Sequence, residues 1–292
     1  MKSVGQYVSM VGWVASCVCL ALLGAGCSGG TDVGDFLPIT TLFRSSATRT
    51  LAPTDLAQSA KDVEISQIES LTLTITEVSL DRGAEEQGEE EEAGTKIVVF
   101  SGAMDVNILD LLDVSRVLSS VEIPAGTYTK IRLSIENPRL VLNSDPDAVI
   151  TNIQLTANGR LFVSKTFELP EGEPYLLILT FEDIHLVETG NGGYVLTPQL
   201  RADIDIEPAE AVVVGTITAM NKDTDTLIVQ LDDATEIEVL YTDALIYLPG
   251  DTDTPTGTED DLFVGLEAEI AGLLTVDGSL TAETIRILPV AT

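Results

Sequence analysis

The chain has 292 residues, a formal charge of −32 at pH 7 and 45% hydrophobic residues. That length accommodates two domains of ordinary size, and the apolar content excludes a wholly disordered chain. Fifteen cations against 47 anions exclude a general nucleic-acid binder, whose phosphate affinity needs clustered Lys and Arg, and disfavour adhesion to anionic lipid by charge alone.

The N-terminus reads as an address. Lys2 precedes an apolar run from Val8 to Leu23, followed by Gly24, Ala25, Gly26 and Cys27. This is the layout of a bacterial secretory signal, residues 1–26, ending at a cysteine. Leu23-Gly24-Ala25-Gly26-Cys27 resembles a lipobox, with Gly24 where that motif usually has Leu. The resemblance implies cleavage before Cys27, acylation of Cys27, and membrane attachment through it. Three acyl chains exceed the two signals that stable anchoring requires. The alternatives are an uncleaved N-terminal anchor and ordinary signal cleavage nearby. Ser28 after the cysteine resembles the outer-membrane sorting choice of Gram-negative lipoproteins. Cleavage would remove Cys17, Cys19 and Trp13, leaving no disulfide, no thiolate metal site and no tryptophan.

Residues 27–60 are rich in Ser, Thr, Asp, Gly and Pro with scattered apolar residues, and read as a flexible tether with one short strand near Leu37–Phe43. Strands dominate from there on. Leu71, Leu73 and Ile75 alternate with Thr72, Thr74 and Thr76, the period of a half-buried strand. In Thr127–Glu136, Ile131, Leu133 and Ile135 alternate with Lys130, Arg132 and Ser134. Tyr175–Phe181 is apolar at both parities and predicts a strand buried on both faces. Turn signals at Pro124-Ala125-Gly126, Asn137-Pro138, Asn158-Gly159 and Gly190–Gly193 separate the runs. A helical interruption is predicted around Ile108–Leu118.

A boundary falls near Ile206–Ala211. Beyond it come six short strand patterns: Val212–Met220, Thr226–Leu231, Glu236–Tyr241, Ala244–Leu248, Val264–Leu273 and Leu280–Leu288. The expected architecture is all-β: a β-sandwich-like domain over residues 61–205 and a small OB-like β-barrel over 211–292. Residues 61–205 hold 10 cations against 26 anions, whereas 206–292 hold only Lys222 and Arg286 against 18.

Leu71–Leu80 (LTLTITEVSL), Asp105–Leu112 (DVNILDLL), Ile123–Leu133 (IPAGTYTKIRL) and Gly193–Leu200 (GYVLTPQL) resemble a family of bacterial envelope proteins called domain of unknown function 4382. Val214–Ala219 (VGTITA), Val264–Leu274 (VGLEAEIAGLL) and Gly278–Ile287 (GSLTAETIRI) are similar to domain of unknown function 5666. The resemblances imply architecture and envelope location; neither family carries an assigned activity.

Catalytic constellations are missing from the sequence. The single histidine, His185, lies in a strand pattern and reads as a packing residue. No nucleophile elbow, zinc helix or phosphate loop is present, and Ser164-Lys165 lacks the spacing of a serine–lysine site. Glu182 and Asp183 are strand neighbours on opposite faces and cannot act as a pair. The tyrosines Tyr128, Tyr175, Tyr194, Tyr241 and Tyr247 lie mostly within strand patterns, leaving few rings for a sugar platform. The glutamates of Glu85–Glu92 read as a solvated loop. Asp251 and Asp253 are spaced like the opening of a calcium loop, and Asp260 and Asp261 lie at its other end. Pro255 and Leu262 break the pattern, however, so the loop reads as solvated acid, with weak Ca²⁺ binding as the alternative.

Taken together, the sequence predicts a non-enzymatic, lipid-anchored protein of the cell envelope. It would be an outer-membrane lipoprotein, periplasmic or surface-facing, with a structural or binding role and no cofactor. Its partners would be the membrane through Cys27 and an envelope protein or glycan, not nucleic acid. The alternatives are a glycan-binding adhesion module and an accessory domain of an envelope enzyme system.

Overall fold

A computed structural model describes residues 36–46, 61–83, 95–112 and 114–289. The signal segment, Cys27 and the glutamate run at 85–92 lie outside the described residues. Every described element falls within one compact unit, Gly34–Thr292. The described elements are strands and short 3₁₀ turns. No helix among the described residues is long and apolar enough to cross a membrane.

The first eleven strands build a two-sheet sandwich: β1 (Phe36–Ser45), β2 (Lys61–Asp62), β3 (Ile68–Arg82), β4 (Lys96–Asn107), β5 (Ser115–Pro124), β6 (Gly126–Leu142), β7 (Asp145–Ile150), β8 (Ile153–Leu155), β9 (Arg160–Leu169), β10 (Tyr175–Glu188) and β11 (Tyr194–Asp205). One sheet runs β4–β3–β6, with β7 and β9 sharing the far edge of β6. The other runs β5–β1–β10–β11–β8. The predicted alternation decides which side chains enter the space between them. Leu71, Leu73 and Ile75 of β3 and Ile131, Leu133 and Ile135 of β6 are all buried in one cluster. A bulge between Ile75 and Glu77 then shifts the parity of β3, so that Val78 and Leu80 face inward after it.

Two expectations need correction. The short strand expected near Leu37–Phe43 is present as β1, but residues 36–45 do not belong to a tether: β1 lies inside a sheet, antiparallel to β5 and parallel to β10. Its Pro38 is tolerated because pairing with β10 begins only at Ile39, so the missing N–H falls where one flank is empty. The helical interruption shrinks to a 3₁₀ turn over Ile108–Leu111, started by the Asn107 side chain accepting from the Leu109 N–H. Residues 115–118 already belong to β5. The β-branched Val117 and the need to flank β1 outweigh the loose helical spacing of the leucines.

The Pro124–Tyr128 turn is a corner between β5 and β6. The buried Tyr128 hydroxyl donates to the Pro124 carbonyl at 2.6 Å, and an Arg82 Nη2–H donates to the Ala125 carbonyl. Gly126 sits at φ +145°, a conformation that side chains rarely adopt, and a Cβ there would also press on the Arg82 guanidinium at 3.0 Å.

The remaining strands are β12 (Ala209–Asn221), β13 (Thr226–Gln230), β14 (Glu236–Leu240), β15 (Leu245–Tyr247), β16 (Glu267–Leu274) and β17 (Leu280–Ile287). Five of them close a ring, β12–β13–β14–β17–β16 and back to β12, the OB-like barrel expected from the sequence. Leu262 and Leu266, from the connection after β15, enter its core. At Gly272, opposite a bulge in β17 whose extra residue is Glu283, a Cβ would lie 2.0 Å from the Thr281 carbonyl oxygen. Only glycine lets the two strands approach so closely there.

The boundary near 206–210 separates two apolar clusters but not two sheets. β12 continues the sandwich sheet by pairing parallel to β5 at Ala211 and Val212. The barrel cluster also takes in Leu42, Val117, Leu176 and Ile178 from the sandwich strands. The double-faced apolar run of β10 is thereby explained. Tyr175, Leu177, Leu179 and Phe181 face the sandwich interior, while Leu176 and Ile178 face the barrel core.

Candidate functional site

Three adjacent rows on the outer face of the five-stranded sheet carry four of the chain's 15 cations. Pairing aligns three rows across β4, β3, β6 and β9: Val98–Ser79–Arg132–Phe162, Lys96–Asp81–Lys130–Ser164 and Ser101–Glu77–Ser134–Arg160. Their sequence neighbours, including Leu80, Ile131 and Leu133, point the other way into the core, so alternation leaves these rows facing solvent. Lys96 pairs with Glu77 at 2.7 Å. Arg132 grips Asp81 through Nε and Nη2 at 3.0 and 2.6 Å, and that carboxylate raises the arginine's pKa. Ser79 is covered and donates its hydroxyl to Glu77.

Two cations keep their charge available. Lys130 lies with its ammonium 5.4 Å from the centroid of the Phe162 ring, a cation–π contact. Arg160 makes no ion pair among the described residues. Phe162 is 61% exposed on the surface of the sheet. Two open clefts adjoin here, of about 320 and 430 Å³. Glu77, Ser134 and Arg160 line both, with Phe162 bounding the first and Glu136 the second. The face thus offers an aromatic plane, a fork of donors and an ammonium, with four cations against the two carboxylates of its rows, in a chain of net charge −32.

A third cleft, of about 450 Å³, lies between barrel and sandwich, where Ser120 meets Glu236, Glu238, Leu240 and the Asp277–Ser279 turn. Barrels of this type often bind ligands on the face of their second and third strands. Here that face carries Glu236 and Glu238 with no cation in the cleft's lining, and a polyanion would meet uncompensated like charge. The turn is seated tightly: a Cβ on Gly278 would approach Ser120 Oγ to 3.1 Å and Thr40 Oγ1 to 3.2 Å. Asp277 accepts from the hydroxyls of Thr275 and Ser279, and these bonds hold its carboxyl below the usual range.

The acidic residues singled out in the sequence are not gathered into a ligand set. Asp251 accepts from the Thr256 hydroxyl and from the Leu248 and Thr256 amides, which lower its pKa and hold the loop together. Asp261 accepts from the amide and hydroxyl of Thr258 and caps the turn at Glu259–Asp261. Asp260 is 94% exposed beside Lys222, and Asp253 is exposed. Among the described residues no group of three acidic, His or Cys side chains converges as a metal site would require.

The remaining candidates also have structural partners. His185 lies half-exposed on β10, with Nε2 3.7 Å from Asp62 of β2. Glu182 is the extra residue of a bulge in β10 and pairs with Arg201. Lys165 reaches the Ala202 carbonyl and Asp203. Among the tyrosines, Tyr128, Tyr175 and Tyr241 are buried, and Tyr247 stacks under Arg286 at 4.7 Å; none joins a platform. Phe162 lies outside the sequence expectation, which counts only Trp and Tyr as sugar-stacking rings. The signal was present in Arg160-Leu161-Phe162-Val163-Ser164: with Leu161 and Val163 on the apolar parity, Phe162 must share the polar one.

No curated protein matches the chain, and no solved structure matches it. Residues 56–198, covering β2 to β10 and the start of β11, match the family described as a domain of unknown function (DUF4382), in agreement with the resemblance carried by the Pro124–Tyr128 corner and its flanking strands.

Proposed function

We propose that the chain is a lipid-anchored protein of the cell envelope whose sandwich and barrel display a binding surface rather than carry out a reaction. The supporting observation is the outer face of the five-stranded sheet, where cations and an exposed aromatic ring collect on an otherwise strongly acidic chain. The apolar run before Cys27 supports removal of residues 1–26 and acylation of Cys27, and Ser28 supports the outer membrane as destination. Residues 211–292 form the second displayed unit, and their similarity to domain of unknown function 5666 accords with an envelope setting.

Cell fractionation of the parent and Cys27→Ser tests the anchoring. The parent is expected in the membrane fraction with a lipid-modified N-terminus at Cys27. The variant is expected in the soluble fraction or stalled as the unprocessed precursor. Membrane retention of a correctly cleaved Cys27→Ser protein would refute the reading.

A further inference from the structure

The geometry points to an acidic polysaccharide, a polymer of carboxylate-bearing sugars, as the ligand of the β6–β9 face, with Phe162 as the stacking platform and Lys130 and Arg160 as the carboxylate contacts. This inference rests on the display reading above and names the chemistry of its ligand. Phe162 offers a flat apolar plane to a pyranose ring. Lys130 holds its ammonium over that ring, 5.4 Å from the centroid, so a sugar packed against Phe162 places an anionic substituent within reach of the ammonium. Arg160 stands two residues before Phe162 on the same strand and face, about 6.7 Å along it. Its guanidinium can take a carboxylate through two parallel hydrogen bonds.

Charge density selects among anionic polymers. Lys96 and Arg132 are already neutralised by Glu77 and Asp81, which leaves two cations of these rows without an ion pair among the described residues. Two contacts suit a chain bearing one carboxylate per sugar. They do not suit a nucleic acid, which brings a charge about every 1.7 Å of axis into the field of a molecule of charge −32. Shape narrows the choice further. Small-molecule sites bury most of their ligand, whereas the two clefts here are open and meet at Arg160, a layout for an extended chain lying across the strands.

Calorimetric titration of the detergent-solubilised full chain with a short oligogalacturonate, its carboxyl-reduced neutral counterpart, a polyphosphate and a poly-glutamate peptide tests the proposal. The parent is expected to bind the oligogalacturonate, more weakly as salt is raised. Phe162→Ala and the double variant Lys130→Gln/Arg160→Gln are each expected to weaken binding about tenfold or more. Lys222→Gln, which removes a cation from the barrel, is expected to bind like the parent. Phe162 is exposed, so an unchanged melting temperature of its variant is the check that folding is intact. Absence of oligogalacturonate binding, parent-like binding by both face variants, or tighter binding of polyphosphate or peptide would each overturn the proposal. Binding of the neutral oligomer that disappears in Phe162→Ala would overturn the acidic class alone and leave the display reading standing. Shortening of the oligomer by the parent would instead overturn the display reading.

Discussion

Tyr241 donates its hydroxyl to Glu259 at 3.2 Å from an otherwise buried position beside the barrel core. Burial, reinforced by the neighbouring carboxylate, pushes its pKa up to about 12. An unfolded tyrosine ionises near about pH 10. The stabilisation that depends on neutral Tyr241 is therefore complete below that pH and is lost as pH climbs through the folded value. Melting curves across this alkaline window should show the parent losing stability faster than Tyr241→Phe. Parallel losses would assign the effect to other groups. On β1 and β5, Thr41 and Ser119 face each other in register. Both are fully buried, and neither hydroxyl has a hydrogen-bond partner among the described residues. A desolvated, unpaired hydroxyl costs about 1–3 kcal/mol. Ser119→Ala and Thr41→Val are thus expected to leave stability unchanged or raise it by about 1 kcal/mol, read as a shift of denaturation midpoint. A clear loss from both would mean that a water bridges the two hydroxyls.

At the scale of elements, β1 carries more than its ten residues suggest. Leu37, Ile39 and Phe43 enter the sandwich core while Leu42 enters the barrel core, so the strand contributes to both. Leu42→Ala is expected to cost about 2–5 kcal/mol, whereas Phe36→Ala, at an exposed end, should stay within about 0.5 kcal/mol; chemical denaturation of the two variants measures the difference. Equal effects would mean that β1 is peripheral. This strand is also where sequence reading reached its limit. Where one parity was apolar and the other polar, as in β6, both the strand and its buried face could be read from the residues, and all six strands of the barrel region emerged the same way. In β1 the pattern FLPITTLFRS is interrupted by Pro38 and by Thr40 and Thr41, and its neighbours, β5 and β10, lie far along the chain, so nothing local marks it as interior. The bulges in β3 and β10 were illegible for the same reason, since register is decided by the partner strand. The candidate face was half legible: alternation exposed Lys130 and Arg132, but only the β6–β9 register brings Phe162 and Arg160 beside them.

For the whole molecule, a continuous sheet and shared apolar residues replace the picture of two beads on a string. Arg116 marks the joint. It pairs in register with Val212 and donates to the Asp105 carbonyl. Burial pulls its pKa down, while Asp232 and Glu269 of the barrel and Asp105 and Asp110 of the sandwich counter that shift. Residues 34–292 are therefore expected to unfold in one transition, and residues 211–292 alone to melt well below the whole, because Leu42, Val117, Leu176 and Ile178 no longer cover their core. Calorimetry of both would decide; equal melting temperatures would show the barrel to be self-sufficient. Added salt should stabilise the isolated barrel more than the intact protein, since 18 anions face two cations over residues 206–292.

The position of β1 also gives the protein a mechanical character. A pull arriving at Phe36 from the N-terminal side runs along a strand held by β5 on one flank and, from Ile39 onward, by β10 on the other. Displacement along that axis strains the hydrogen bonds of both ladders together, as in shear, instead of opening them one after another like a zipper. Resistance to extraction is then a matter of unfolding rate under load. An object tugged by its leading end would carry that force into its middle, sparing the surface presented by β6 and β9.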